Sequence, residues 1–208
     1  MFKWTRVFVL NGWKADMEKN TSESTKKALK AAAFKLLITC GDWTEVTARA
    51  ITKEAGVNLA MINYCFGSKE ALFFEVFREL QEKVVKCKPE LTEIVNSDMT
   101  PKEKLIEGTY QMVKLMLDYF SMSQAVVKYC VLNKNFDMDD GTFTLVKQHF
   151  NGKKTDGECM LIAYEISSAH ELMVLRHKEI KETCGIDLTD DKTLRRIIKR
   201  NIEKCLAD

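Results

Sequence analysis

The sequence has little of the chain-breaking composition that short strands and tight turns require. Its 208 residues include only two prolines and nine glycines, so long helices are expected rather than many short strands. Alternation of polar and apolar residues, which is typical of a half-buried strand, is also scarce. Apolar residues make up 46% of the chain and charged residues 30%, as in globular proteins with real cores. The predicted fold class is all-α.

Two further absences limit the classes of function. No apolar run approaches the ~20 residues that a membrane-spanning helix needs, so no membrane partner is expected. The formal net charge is only +2. Affinity for a nucleic acid would therefore depend on the local placement of basic side chains rather than on a strongly basic protein.

The cysteines lack the spacing of a disulfide framework or a zinc site. There are seven, widely scattered, and no CxxC pair occurs, so we expect reduced thiols in a cytoplasmic protein. His170, His177 and Cys184 follow one another at intervals of seven residues, a step of about 10.5 Å along a helix. One ion cannot bridge that distance. The sequence therefore predicts neither a metal nor a cofactor.

Apolar side chains recur with helical spacing along most of the chain. In residues 24–40 they follow the i, i+3, i+4, i+7 pattern of an amphipathic helix, and Gly41 is suited to end it. Thr47, Asn58 and Ser68 are residue types that cap helices, and a helical run follows each. By these signals the predicted helices are residues 24–40, 48–54, 59–65, 68–87, 101–120, 123–133, 139–150, 157–182 and 190–206.

The run from Thr47 to Leu72 predicts two short helices joined by a glycine turn, followed by the start of a third. Gly56 tolerates the positive φ that such a turn requires. In a helix-turn-helix the second helix enters the major groove, so its outer face must let base edges approach. Small or apolar residues for the inner face are Ala50, Ile51, Ala55, Val57 and Ile62, and the outward candidates are Leu59, Ala60, Met61, Asn63 and Tyr64.

A set of small, apolar and glycine positions recurs at fixed spacings around this run. They are Leu29, Ala32, Ala33, Leu36, Leu37, Gly41, Trp43, Thr47, Ile51, Ala55, Gly56, Val57, Phe66, Gly67, Ser68, Lys69, Glu70 and Leu72. On these residues the stretch LKAAAFKLLITCGDWTEVTARAITKEAGVNLAMINYCFGSKEAL resembles the DNA-binding domain of TetR-family transcriptional regulators. The resemblance covers residues 25–80 and is specific, because so many spacings agree at once.

The resemblance implies roles for individual residues. Thr47, Tyr64 and Lys69 would contact DNA phosphates. Direct reading of bases would fall to the helix over residues 58–65, through Asn58, Leu59, Ala60, Met61 and Asn63. Between Ser24 and Glu70, seven basic residues outnumber four acidic ones. The recognition helix itself has no lysine or arginine, so contact with thymine methyl groups and asparagine is expected rather than arginine–guanine pairing.

The second half of the chain has no motif of comparable strength. The resemblance implies that this half binds a small effector and forms a homodimer. Its interior is rich in methionine and aromatic residues, and methionine suits adaptable pockets. The candidate ligand-binding residues are Tyr110, Met112, Met116, Tyr119, Phe120, Tyr129, Met160 and Tyr164.

The last predicted helix is amphipathic, with an apolar stripe at Leu194, Ile197, Ile198, Ile202 and Leu206. By the resemblance it would form a four-helix dimer interface together with residues 157–182. A helix lying on a membrane surface is the alternative, because basic residues lie between the apolar ones.

The sequence divides into four segments. Residues 1–23 are a predicted N-terminal extension, 24–70 the helix-turn-helix domain, 71–89 a connecting helix and 90–208 the ligand-binding and dimerisation domain. Residues 1–16 look unlike the rest, and we expect an upstream extension or a misassigned start. An arm that reaches DNA through Lys3, Arg6 and Lys14 is the alternative.

These expectations combine into one functional hypothesis. The chain would be a transcriptional regulator, not an enzyme: a homodimeric repressor that a small apolar or amphipathic effector releases from a palindromic DNA operator. One alternative is a thiol-based redox sensor, with Cys65 on the recognition helix as the reactive residue. The other is an architectural DNA binder without an effector. An enzyme is disfavoured because no nucleophile–base pair, phosphate loop or metal constellation is evident.

Overall fold

The computed structural model describes residues 21–40, 42–87, 93–94, 96–133 and 141–207. These residues form α-helices and one short 3₁₀ helix with no strand among them, which confirms the all-α prediction. The predicted extension lies outside the described residues up to residue 20, and residues 21–23 belong to the first helix. Gly41, the proposed end of that helix, also lies outside them.

The helices follow the sequence-derived boundaries closely, with one exception treated below. In chain order they are α1 (Thr21–Thr39), α2 (Ala48–Ala55), α3 (Ala60–Phe66), α4 (Lys69–Cys87), α5 (Pro101–Asp118), α6 (Phe120–Asn133), α7 (Thr142–Phe150), α8 (Asp156–Leu175), α9 (His177–Cys184) and α10 (Asp191–Cys205), with the 3₁₀ helix Trp43–Glu45 between α1 and α2.

The chain separates into two compact units, Met1–Cys87 and Lys88–Asp208. Helices α1–α4 belong to the first unit and α5–α10 to the second. The helix that the sequence assigned to a connecting segment, α4, therefore packs as part of the first unit.

The first unit is held by apolar faces that meet between α1 and the other three helices. On α1 the buried residues include Leu29, Ala33 and Leu37, each at most 1% exposed, which is the helical stripe predicted from spacing. Helix α4 contributes the largest fully buried side chain of this unit, Phe73. Ala33 is small, so it occupies little of the space where these helices meet.

The second unit is built around α8, which packs against α5, α6, α7, α9 and α10. Both α5 and α8 begin with a capping box. Thr100 and Thr155 accept hydrogen bonds from the amides of Glu103 and Glu158, whose carboxylates accept in return. Such reciprocal pairs satisfy amides that the first turn of a helix leaves open. All five apolar residues of the α10 stripe are buried within this unit.

One sequence-based prediction is wrong: residues 157–182 are not a single helix. The chain breaks at Arg176, with φ −106° and ψ 15°, and continues as α9. Immediately after the break, the ring of His177 packs edge-on against Phe120, with centroids 4.3 Å apart. No glycine or proline marks this break, so only the tertiary packing reveals it. His170, His177 and Cys184 consequently do not share one helix.

A polar seam, formed by Glu107 and Tyr110 of α5 and Arg195 of α10, joins these two helices. The guanidinium of Arg195 lies 3.6 Å from the centroid of the Tyr110 ring and donates two hydrogen bonds to the Glu107 carboxylate. Burial acts to raise the pKa of Glu107, but hydrogen bonds from Arg195 and Gln111 outweigh it and leave that pKa below its ordinary value. The Glu107 carboxylate is thus more stable as an anion in the folded state than in the unfolded chain.

Replacing Arg195 with alanine removes the ring contact and both hydrogen bonds. We expect a loss of about 1–2 kcal/mol in the free energy of unfolding, as for a partly exposed ion pair plus a cation–π contact. Denaturant titration followed by circular dichroism measures this loss.

Because the pKa of Glu107 is lowered on folding, the stabilisation is present above its ordinary pKa. It is lost as the pH falls through the lowered value.

Arg196→Ala is the matched control for Arg195→Ala. Arg196 is exposed on the same helix and has no ion pair among the described residues. An equal loss of stability in both variants would contradict the role of the seam.

Candidate nucleic-acid interface

The turn between α2 and α3 has the geometry of a helix-turn-helix. Gly56 adopts the left-handed conformation, with φ 67° and ψ 30°, directly after α2 ends. Its amide donates to the Lys53 carbonyl at 3.3 Å, and the amide of Val57 donates to the Thr52 carbonyl at 3.0 Å. A residue with a Cβ atom would be strained at this φ, so glycine is required by conformation rather than by space.

Asn58 positions the start of α3. Its side-chain oxygen Oδ1 accepts a hydrogen bond from the amide of Ala60 at 2.9 Å, and its carbonyl accepts from the amide of Met61 at 3.0 Å. The side-chain oxygen is therefore occupied within the protein. Only the amide Nδ2 of Asn58 remains as a donor toward a base edge.

Most of the remaining predicted contact residues, on α3 and at its N-cap, face outward. Leu59 is 45% exposed and Tyr64 is 76% exposed, and both Ala60 and Asn63 are exposed as well. The Tyr64 hydroxyl has no hydrogen-bond partner among the described residues. Met61 is half-buried, while Ile62 turns inward and is only 2% exposed. The helix thus divides into one buried face and one outward face without charge.

The N-terminus of α2 contributes two further groups. Thr47 is exposed at the N-cap, where its hydroxyl oxygen accepts from the amide of Ala50 at 3.1 Å. Its hydroxyl hydrogen remains able to donate to an anion. Arg49, in the first turn, is exposed and has no ion pair among the described residues. In the sequence, Arg49 is only one of seven basic residues between Ser24 and Glu70. Its lack of a carboxylate partner becomes visible only in the fold.

The ammonium group of Lys69 makes several contacts within the protein, which the sequence does not reveal. Its ammonium donates to the Val46 carbonyl at 3.1 Å and lies 5.3 Å and 5.4 Å from the ring centroids of Trp43 and Phe73. Glu70 approaches it at 3.9 Å. The side chain therefore links the start of α4 to the segment that precedes α2.

The candidate ligand-binding residues of the second unit differ in how deeply they are buried. Tyr110 and Met116 are buried, and the Tyr110 ring is covered by Arg195. Met112 and Tyr164 are exposed, at 38% and 50%. The others are half-buried: Tyr119, Phe120, Tyr129 and Met160.

The described residues contain no group of three or more histidine, cysteine, aspartate or glutamate side chains placed to hold a metal ion. None of the helices within the described ranges combines the length and apolar character that crossing a membrane requires.

Comparison with known proteins agrees with this geometry. A sequence profile described as bacterial regulatory proteins of the tetR family matches residues 29–76, from α1 into α4. The first unit carries a TetR-family domain. No curated protein sequence matches the chain.

Solved structures extend the likeness beyond the TetR-family domain. A TetR-family transcriptional regulator from Mesorhizobium loti MAFF303099 aligns at 16% identity and a TM-score of 0.54, covering 90% of this chain and 98% of its own. A TetR transcriptional regulator from Rhodococcus sp. RHA1 aligns at 13% identity with a TM-score of 0.55, and the alignment covers 90% of this chain and 98% of that one. A TetR-like transcriptional regulator from the same organism aligns at 15% identity with a TM-score of 0.52, covering 91% of this chain and 97% of that one. At these identities the likeness establishes the fold.

Replacing Lys69 with alanine should destabilise the TetR-family domain. The variant loses a hydrogen bond from a charged donor and two contacts with aromatic rings, together worth about 2 kcal/mol. Thermal unfolding followed by circular dichroism measures the change. Lys53→Ala is the control, because Lys53 is exposed and without an ion pair among the described residues. If Lys69→Ala unfolded at the same temperature as wild type, this role for Lys69 would be wrong.

Proposed function

We propose that this protein is a transcriptional regulator that binds a palindromic DNA operator as a homodimer. In this proposal it acts as a repressor, and a small apolar or amphipathic effector bound in the second unit releases it. The coarser part, a DNA-binding regulator, is supported by the TetR-family domain and by the likeness of the whole fold to TetR-family regulators.

The observation that carries the proposal is the outward face of α3. Leu59, at the N-cap of α3, and Tyr64, within its seven residues, are large side chains exposed to water, and α3 contains no charged residue. Exposed apolar surface at a helix-turn-helix is suited to cover the edges of bases. The exposed cation of Arg49 and hydroxyl of Thr47 would supply contacts to phosphates.

The chemistry of this face favours particular bases. Leu59, Ala60 and Met61 would contact the methyl groups of thymine, and the amide of Asn63 would pair with adenine in the major groove. Tyr64, through its unpartnered hydroxyl, would donate to a phosphate. The proposed operator is consequently rich in A·T pairs where α3 lies.

Binding to the DNA upstream of the protein's own gene tests the proposal. In fluorescence anisotropy at fixed salt, we expect affinity at least about a thousandfold above that for a scrambled duplex. Tyr64→Phe and Arg49→Ala should weaken binding to all sequences alike and lower its salt dependence. Asn63→Ala and Met61→Ala should change which sequence is preferred. Arg78→Ala, an exposed position on α4, is the control for charge.

Two results would count against this assignment. Equal and strongly salt-dependent binding to both duplexes would indicate an architectural DNA binder. A shift in sequence preference caused by Arg49→Ala, with none caused by Asn63→Ala, would move base reading from α3 to α2.

The proposed homodimer has a candidate surface on α8. Leu161, Tyr164 and Leu172 are each about half exposed, at 51%, 50% and 51%, and fall on one side of the helix. The apolar stripe of α10 is buried within its own protomer, so α10 presents mainly polar residues outward. An exposed apolar stripe on a long helix fits a self-complementary interface between two copies.

Substituting Leu161 and Leu172 with glutamate should therefore separate the dimer. Burying two unpaired carboxylates at the interface would cost about 2 kcal/mol or more. Sedimentation equilibrium measures the association constant, with circular dichroism as the test of folding. Gln148→Glu, an exposed position on α7, adds a charge away from the stripe and should leave association unchanged. A dimer of unaltered affinity in the double variant would place the interface elsewhere.

A further inference from the structure

His170 is the one buried side chain of the second unit whose hydrogen bonding is incomplete among the described residues. It lies on the inner face of α8, between Ile166 and Val174, and is 3% exposed. Nδ1 lies 2.7 Å from the carbonyl oxygen of Ile166. Nε2 is fully buried and has no hydrogen-bond partner.

The contact of Nδ1 with the Ile166 carbonyl determines whether Nε2 is a donor or an acceptor. A carbonyl oxygen only accepts, so Nδ1 carries the hydrogen and donates it to Ile166. Burial lowers the pKa of His170, with the hydrogen bond to Ile166 acting in the opposite direction, and the ring is therefore neutral at physiological pH. Nε2 is then a bare acceptor that needs a donor from outside the protein. Leaving such an acceptor unsatisfied in a protein interior is unfavourable.

The buried side chains of the second unit favour a neutral molecule as the donor. The other buried residues of α8 are Cys159, Ala163, Ile166 and Val174, none of which carries a charge. No carboxylate, ammonium or guanidinium group is buried among the described residues. Ser123, the remaining buried polar side chain of this unit, donates its hydroxyl to the Tyr119 carbonyl at 3.1 Å. A charged ligand would have no counter-charge in this interior.

The same interior contains side chains that can move to admit a ligand. Helices α5 and α6 both pack against α8, and they bury Met116 and Met122 at 5% and 1% exposure. Methionine has three rotatable bonds and a polarisable sulfur, so it adapts to a guest more readily than branched side chains do. An adaptable apolar interior with one fixed polar atom is the usual character of a small-molecule site.

We propose that the interior of the second unit takes an apolar molecule carrying one hydroxyl group, an alkylphenol or long-chain alcohol, whose O–H donates to Nε2 of His170. This inference rests on the proposed function, since it names the chemical class of the effector. His170 is the residue that orients the ligand and distinguishes it from a hydrocarbon of the same shape.

A matched pair of probes tests the site. Isothermal titration calorimetry on the full chain compares 4-butylphenol with butylbenzene, which lacks only the hydroxyl. We expect wild type to bind the phenol roughly tenfold more tightly, the value of one net hydrogen bond. In His170→Phe the preference should disappear, and in His170→Gln part of it should return because the amide oxygen also accepts. The ¹⁵N resonance of Nε2 in wild type should move with the phenol and not with butylbenzene.

The controls separate the site from the fold and from DNA binding. His177→Phe keeps an aromatic ring against Phe120 and should retain the wild-type preference. Equal affinities in wild type, binding of neither probe, or an unmoved Nε2 resonance would overturn the site. Operator binding is measured separately with each probe. If wild type prefers the phenol but the phenol does not release DNA, the binding site is supported and its role as the effector site is overturned. If the phenol still releases DNA from His170→Phe, the binding site at His170 is overturned and the proposed effector response is not.

Discussion

The left-handed conformation of Gly56 is the constraint on which the rest of the candidate interface depends. With φ at 67°, Gly56 ends α2, and α3 begins four residues later at Ala60. Any other L-residue would strain this turn. The turn places Ile62 in the core, at 2% exposure, and thereby directs Tyr64 to solvent. Lys69 completes the arrangement by tying α4 to the Val46 carbonyl ahead of α2.

In the second unit the central element is α8, which carries apolar residues on both its inner and its outer face. Its inner face, which includes Ile166 and His170, packs among the neighbouring helices, while Leu161 and Leu172 lie outward. A helix with apolar residues on both sides needs a partner for each. The inner side finds its partners within the protomer. A second copy of the chain is the partner that we propose for the outer side, and a ligand is the one that we propose for the unsatisfied nitrogen on the inner side.

Prediction from sequence succeeded where the signal is local. The start of α2 after its N-cap Thr47 and its end at Gly56 follow from the capping and left-handed preferences of these two residue types. The burial of Leu29 and Leu37 follows from periodicity. Local signals gave no sign of the break at Arg176, because the contact of His177 with Phe120 joins residues far apart in the chain. Nor could they separate Tyr110, covered by Arg195, from the exposed Tyr164.

The all-α fold, most helix boundaries and the TetR-family domain follow from the amino-acid sequence alone, because spacing and caps are properties of short segments. Which charges stay unpaired and which polar atoms stay unsatisfied depends on how the helices pack. Arg49 lacks a carboxylate because no acidic side chain of the described fold approaches it. Nε2 of His170 lacks a donor because no hydrogen-bonding group of the described residues comes within reach of it. Pairing depends on the whole packing arrangement, which no short segment contains.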